Sequence, residues 1–323
     1  MTEHSRALTV GFDIGGTNMR ASVVDAAGCI IETRSLPSPK TPAGMEAGIE
    51  QLVAELRADH QIAAVGVAVA GFLDAECERV RFAPHLPWRD APVRKMLQDR
   101  LGLPVRLEHD ANSAAWGEYR FGAARGVDTW VLFAVGTGIG ATLMTGGEIF
   151  RGAYGTAPEF GHLTVVPGGR ACPCGKLGCL ERYCSGTALL DSAVELVHSR
   201  RFLGSELAAK VRRDPTAVNG PLIMDAARRG DAAGVAIVDE FAAWLGQGLS
   251  IVADILDPEL IVLGGGVSND SDLYLPAATE QFASQIVGTG YRPLARVETA
   301  ELGAAAGMIG VADLARSLVA EEP

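Results

Sequence analysis

His162, Cys172, Cys174 and Cys179 follow one another as H-x9-C-x-C-x4-C, with Gly168, Gly169, Pro173, Gly175 and Gly178 in the intervals. Three thiols and one imidazole in a glycine-rich loop match the ligand set of a tetrahedral zinc site. Protein would fill all four positions, leaving no place for a reactive water, so the Zn2+ would be structural. The competing reading is a group of unbound buried thiols, but four ligand-type residues in one short loop are more than packing requires. Cys29, Cys77 and Cys184 have no such grouping and read as plain buried residues.

Two glycine turns offer a second chemistry. In Asp13-Ile14-Gly15-Gly16-Thr17-Asn18 the glycines let backbone N–H groups approach phosphate oxygens. The Thr17 hydroxyl adds a donor, and the Asp13 carboxylate can hold Mg2+ through water. An ordinary tight hairpin would select glycine as well. Gly136-Thr137-Gly138-Ile139-Gly140-Ala141 fits the dinucleotide fingerprint G-x-G-x-x-A, which requires a helix to begin at the glycines. Thr142 to Phe150 reads instead as a strand and hairpin, which argues against a dinucleotide-binding oxidoreductase. The pattern G-x-x-x-x-G-K-[ST] is absent, which removes a P-loop. A further acidic candidate is Asp110 in Glu108-His109-Asp110-Ala111-Asn112, between a strand and a helix, where it is either a helix N-cap or a group with chemistry to do.

The elements that must carry these residues recur in order. Leu8 to Ile14 reads as a buried strand, Arg20 to Asp25 as a second and Cys29 to Ser35 as a third. A helix follows Pro42, since Met45, Ile49, Leu52, Val53 and Leu56 repeat at helical spacing, and Ala63 to Ala70 is the next strand. The strand, glycine turn, strand, hairpin order returns from Trp130 to Phe150, as an internal duplication would produce. A long apolar-striped helix from about Val235 to Leu256, a strand at Leu260 to Leu263, the run Gly264-Gly265-Gly266 and a small-residue helix after Glu301 complete the chain. Arg200 to Gly220 is expected to be a mobile connection. Two related lobes, each opening with a hairpin whose first turn is rich in glycine and threonine, describe an α/β, two-lobed actin-like ATPase (ribonuclease H-like) fold with a zinc-binding loop. In that arrangement nucleotide phosphates sit between the turns.

The 323 residues are 48% hydrophobic, enough for about two domains. A formal net charge of −11 with scattered basic residues argues against nucleic acid or anionic membrane as partner. The longest apolar stretch, Ile62 to Leu73, is interrupted by Gly66 and Gly71 and is too short to span a bilayer. No basic region followed by a long apolar run opens the sequence, so a cytoplasmic protein without a disulfide framework is expected.

Taken together, these motifs resemble the ROK family of sugar kinases and repressors, especially its actinobacterial-type glucokinases. The resemblance runs from Val10 to about Ala315. It is carried by Asp13 to Thr17, Asp110-Ala111-Asn112, Gly136 to Gly140, Glu159-Phe160-Gly161-His162, the cysteine loop to Glu181, and Gly264 to Gly266. It implies an N-terminal lobe of residues 1–125 with a catalytic aspartate and a C-terminal lobe of residues 126–323 with the zinc loop 162–179. It further implies that Asp110 is the general base taking the proton from the sugar O6 hydroxyl as it attacks the γ-phosphoryl group of ATP. Gly71, His85, His109, Glu159, His162 and Glu181 would face the sugar. Asp13, Gly15, Gly16, Thr17, Asn18, Thr137, Gly138, Gly265 and Gly266 would serve the nucleotide and Mg2+. His162 would use one ring nitrogen for zinc and the other toward the sugar.

Three positions depart from the commoner family pattern. His85 and His109 stand where asparagine is usual, and Pro158 where glycine is usual. If both histidines face the sugar, its binding becomes pH-sensitive. Glucose is the substrate implied by Ala114-Ala115-Trp116-Gly117-Glu118-Tyr119 and the segment at Glu159. Fructose, mannose, N-acetylmannosamine and N-acetylglucosamine are compatible with the fold, and polyphosphate is an alternative donor. A repressor would carry an N-terminal helix-turn-helix, for which a first strand within ten residues leaves no room. A filament-forming ATPase has no need of the zinc loop and Glu159. The resemblance favours a homodimer or homotetramer.

Overall fold

The structure, a computed structural model, describes residues 7–198 and 201–320. In chain order its main elements are β1 (Leu8–Ile14), β2 (Asn18–Val24), β3 (Ile30–Pro37), α1 (Pro42–Arg57), β4 (Ile62–Val69), β5 (Phe72–Leu73), β6 (Val80–Phe82), β7 (Arg89–Ala91), α2 (Val93–Leu101), β8 (Val105–His109) and α3 (Asp110–Phe121). There follow β9 (Trp130–Val135), β10 (Ile139–Thr145), β11 (Glu148–Phe150), α4 (Gly186–His198), α5 (Glu206–Arg213), α6 (Gly220–Arg228), α7 (Ala232–Leu256), β12 (Leu260–Gly264), α8 (Ser271–Gln285), β13 (Arg296–Thr299) and α9 (Ala306–Ala320). Two compact units result, one of residues 1–129, 142–158 and 300–323, the other of residues 130–141 and 159–299.

Each of the two large sheets has five strands, in the orders β3-β2-β1-β4-β8 and β11-β10-β9-β12-β13. In the first, β1 is antiparallel to β2 and parallel to β4, which is parallel to β8. In the second, β9, β12 and β13 are parallel and β10 and β11 form a hairpin. The matching orders are what the repeated strand, turn, strand, hairpin pattern implied.

In the first unit α1 starts because Thr41 caps it, its hydroxyl accepting from the Gly44 N–H at 3.2 Å, and Pro42 pre-sets the first turn. The helix then buries Met45, Ile49, Leu52, Val53 and Leu56 in one core with Val10, Phe12, Val65 and Val67 of the sheet. On β1 and β4, Gly11 and Gly66 pair in register, and a Cβ on either would lie 2.0 or 2.1 Å from the Met308 or Val311 carbonyl of α9. These glycines therefore admit the final helix to direct contact with sheet backbone.

Three expectations need correction. Cys29 is exposed, because it lies in the turn held by Asp25, whose Oδ1 accepts its N–H at 2.8 Å. Cys77 and Cys184 are buried. The stretch from 200 to 220 is not an unstructured connection. It forms α5, capped by Ser205 and buried through Leu207, Ala208 and Val211, while Arg200 lies outside the described residues. Ile62 to Leu73, read as the longest apolar stretch and too short to span a bilayer, is not the most membrane-like segment: among the described residues α7 is long and apolar enough by length and composition to cross a membrane. This helix buries Ile237, Phe241, Leu245, Leu249 and Val252 and packs against α6 and α8, as a core helix does.

Candidate active site

The first unit presents Asp110 at the corner where β8 becomes α3. Its neighbour His109 has the extended backbone of an N-cap (φ −63°, ψ 143°) and makes no side-chain cap, so Asp110 is the first helical residue rather than the cap. Its Oδ1 accepts the Ala111 N–H at 2.8 Å, and its side chain is 48% exposed, open enough to meet a substrate hydroxyl. His109 Nε2 stands 3.2 Å from the same Oδ1.

The turn between β1 and β2 closes through the Gly15 N–H and the Asn18 carbonyl at 3.0 Å. Its other carbonyls are taken by the segment after β3: Ser38 Oγ donates to Gly15 at 2.6 Å, the Ser38 N–H to Thr17 at 2.8 Å, and Lys40 Nζ to Gly16. With carbonyls engaged on one side, the turn is oriented to offer N–H groups on the other. Asp13 is paired with Arg20 at 2.6 Å, directly across the β1–β2 pair. His85 packs on Gly16, where an added Cβ would lie 3.3 Å from the His85 Cβ. Gly71 is crossed by the Phe82 carbonyl, 2.6 Å from where a Cβ would be, so close backbone approach explains the glycine there.

In the second unit the ligand atoms of His162, Cys172, Cys174 and Cys179 all lie within 4.8 Å of one another. The Cys174 and Cys179 sulfurs are 3.6 Å apart, and Cys172 Sγ is 3.7 Å from His162 Nδ1. A tetrahedron of Zn–S bonds near 2.3 Å puts sulfurs about 3.8 Å apart, so these two pairs already stand near the separation that zinc requires. Burial pushes the Cys172 and Cys179 thiols up, and a divalent cation is the charge that would bring them down to thiolates. Nδ1 of His162 faces the thiols, while Nε2 is 3.9 Å from Glu159 Oε2, so the two ring nitrogens address different groups. Glu159 itself precedes the short 3-10 turn Phe160–His162 and follows the cis Ala157–Pro158 peptide.

Glu181 joins this loop to the second glycine turn. Its Oε1 accepts from Cys172 Sγ at 3.1 Å, and its Oε2 lies 3.4 Å from the Ile139 nitrogen and 2.4 Å from where a Gly138 Cβ would stand. A side chain at 138 would have to push the Glu181 carboxylate aside. The turn is tied to the start of α4, since the Gly186 N–H donates to Gly136 at 2.7 Å and the Thr187 hydroxyl to Thr137 at 2.8 Å. Beside it opens a cleft of about 500 Å³, walled by Leu189, Leu190, Pro221, Met224 and Val267 and edged by Gly136, Thr137, Thr187, Gly266 and Asp270. Gly265, at φ +84°, turns the chain into this edge against the Val135 backbone. An apolar slot next to a glycine-threonine turn suits a heterocycle bearing phosphates.

The model of the ROK family matches residues 9–318. The chain belongs to the ROK family. Among ROK proteins it is 40% identical over 309 residues to a glucokinase of Streptomyces coelicolor, covering 96% of this chain and 98% of that one. It matches the crystal structure of a ROK family glucokinase from Streptomyces griseus in complex with glucose and AMPPNP at TM-score 0.82 and 40% identity, over 96% of this chain and all of that one. A ROK hexokinase from Thermus thermophilus matches at TM-score 0.82 and 32% identity, over 98% and 100%. The α/β architecture with mixed sheets is thus that of ROK sugar kinases, an actin-like ATPase fold.

Sequence reasoning about this ROK chain missed the apolar wall, Lys40 and Ser38. Leu189, Leu190 and Met224 lie on α4 and α6 and Pro221 in the first turn of α6, where a residue that walls a cleft has the same local pattern as one that packs in a core, so no local signal separates them. Ser38 and Lys40 lie beyond β3 and reach the turn only through the β2–β3 pairing.

Proposed function

We propose that this chain is an ATP-dependent glucokinase, transferring the γ-phosphoryl group of ATP to O6 of glucose to give glucose 6-phosphate and ADP. The observation that carries the reading is 40% identity over nearly the whole length to Streptomyces glucokinases, one of them solved with glucose and AMPPNP. In the reaction O6 attacks the γ-phosphorus, the bond to the β,γ-bridging oxygen breaks, and Asp110 accepts the O6 proton. A carboxylate is a weak base, but phosphoryl transfer depends chiefly on positioning and charge stabilisation.

The functional lobes of this reading are residues 1–125, which bring Asp110, and 126–323, which bring the zinc loop and nucleotide glycines. Gly71, His85, His109, Glu159, His162 and Glu181 hold the sugar. Gly15, Gly16, Thr17, Asn18, Thr137, Gly138, Gly265 and Gly266 hold phosphates and nucleoside, with the base in the apolar cleft. Asp13 orients Mg2+ through water, and the ion, when bound, neutralises phosphate charge. His162, Cys172, Cys174 and Cys179 would hold a structural Zn2+, whose binding free energy would anchor a loop that has only short turns of its own. The reading includes a cytoplasmic homodimer or homotetramer, checked by sedimentation of the purified protein.

The test presents purified protein with glucose, mannose, fructose, N-acetylmannosamine and N-acetylglucosamine, each with ATP or polyphosphate, and follows sugar phosphate. Glucose with ATP is expected to give the highest kcat/KM. A higher value for another sugar, or for polyphosphate, replaces that part of the assignment.

A further inference from the structure

We propose that Glu108 is a positioning residue for Asp110, aiming that carboxylate through the backbone of His109 and the side chain of Asn112. The inference rests on the kinase reading above, in which Asp110 is the base.

Glu108 and Asp110 are two residues apart and have opposite surroundings. The Glu108 side chain is 1% exposed, that of Asp110 48%. One Glu108 oxygen, Oε1, accepts the His109 N–H at 3.1 Å and Asn112 Nδ2 at 3.0 Å, with Cys77 Sγ at 3.8 Å. The other, Oε2, accepts Arg106 at 2.9 Å and Arg151. Asn112 Oδ1 in turn accepts the Thr142 hydroxyl at 3.0 Å. Residues 109 and 112 flank Asp110 on the turn from β8 into α3, and a single buried oxygen holds both. The corner therefore cannot rotate without breaking one buried and one part-buried hydrogen bond.

Burial by itself would raise the Glu108 pKa, yet the Arg151 and Arg106 guanidiniums outweigh it and hold the carboxyl below its ordinary range. As a carboxylate it has lone pairs for all these donors, which a neutral group of the same size does not. A buried ion cluster is a poor source of net stability compared with apolar packing, so fixed geometry is the better account of its presence. Arg151 also opens the segment that runs to Glu159, and its carbonyl accepts the Ala157 N–H at 3.2 Å. One carboxylate thus anchors the base corner and the root of the Glu159 segment.

Steady-state kinetics of Glu108→Gln, Asn112→Ala and Glu108→Gln/Arg106→Gln, with Asp110→Asn as reference, test this. A misaimed base lowers kcat while sugar affinity persists, by about 10- to 100-fold for Glu108→Gln and about tenfold for Asn112→Ala, with the glucose KM within about threefold. The double variant restores the cluster's net charge and is expected to recover thermal stability without recovering kcat. A purely structural Glu108 would move stability and leave kcat per folded molecule at the wild-type value, and that result in Glu108→Gln overturns the proposal. If Glu108→Gln does not fold, an unchanged kcat in Asn112→Ala overturns it. A wild-type protein that phosphorylates no sugar defeats the kinase reading and this inference together. Normal wild type with an impaired Asp110→Asn and a fully active Glu108→Gln defeats the inference alone.

Discussion

The two large sheets share one strand order, and each opens with a glycine-threonine turn after its first strand, yet the turns are supported in different ways. The first is braced by its own hairpin partner: Ser38 and Lys40, just past β3, occupy its carbonyls. The second is braced by α4 and by Glu181, which arrives from the cysteine loop. The fifth strands diverge as well. β8 ends on the corner that presents Asp110, braced by a buried ion cluster, whereas β13 ends with Thr299 and carries no such group. Two sheets of one strand order thus present an exposed aspartate in one half and a loop of four candidate metal ligands in the other. Irregular chain is held by buried charge where a strand and helix lie beside it, whereas 159–182, with 3-10 turns and isolated bridges of its own, gathers the four candidate metal ligands.

If the loop depends on metal to this degree, chelation should have the largest effect. Stripping zinc is expected to abolish phosphorylation and raise amide exchange across residues 159–184 while the first unit keeps its protection. Full activity in a verified metal-free sample refutes the anchor. Asp110→Asn comes next, with kcat lower by about 10²- to 10⁴-fold and glucose affinity retained by calorimetry. A near-normal rate removes Asp110 as the base and, with it, the contrast between the fifth strands.

Gly138→Ala probes the brace of the second turn. A Cβ 2.4 Å from Glu181 Oε2 must displace that carboxylate, so we expect kcat/KM for ATP to fall by about tenfold or more. An unaffected variant would mean the Glu181 contact is incidental. His109→Asn should change the glucose KM only a few-fold, since the ring lies 3.2 Å from Asp110. A wild-type KM would exclude His109 from sugar binding.

The smallest effect is on acid stability. The folded pKa of Glu108 is below its unfolded value, so its stabilisation is present above the ordinary carboxylate range and is lost as pH falls through the folded value. The thermal midpoint difference between wild type and Glu108→Gln should therefore shrink on acidification. A difference constant with pH contradicts an ionised Glu108.

Much of this was legible in the linear order of residues. Strand β1, the helix after Pro42, the repeated hairpins and the cysteine spacing all express local rules: alternation, helical period, capping and ligand spacing act over a few residues and survive without tertiary context. Helix α5 was misjudged because its apolar stripe is only three residues, Leu207, Ala208 and Val211, and gains meaning once Asp231 ties its start to α7. Sequence alone determined that one imidazole and three thiols with the spacing of metal ligands share one loop and that an aspartate stands between a strand and a helix. Only the tertiary structure decided that His109, not Asp110, occupies the cap, that Glu181 closes on Gly138, and that Glu108 is sealed among Arg106, Arg151 and Asn112. Those outcomes depend on which distant backbones approach, and a carboxylate's role follows from the charges and donors that folding brings within about 3 Å of it.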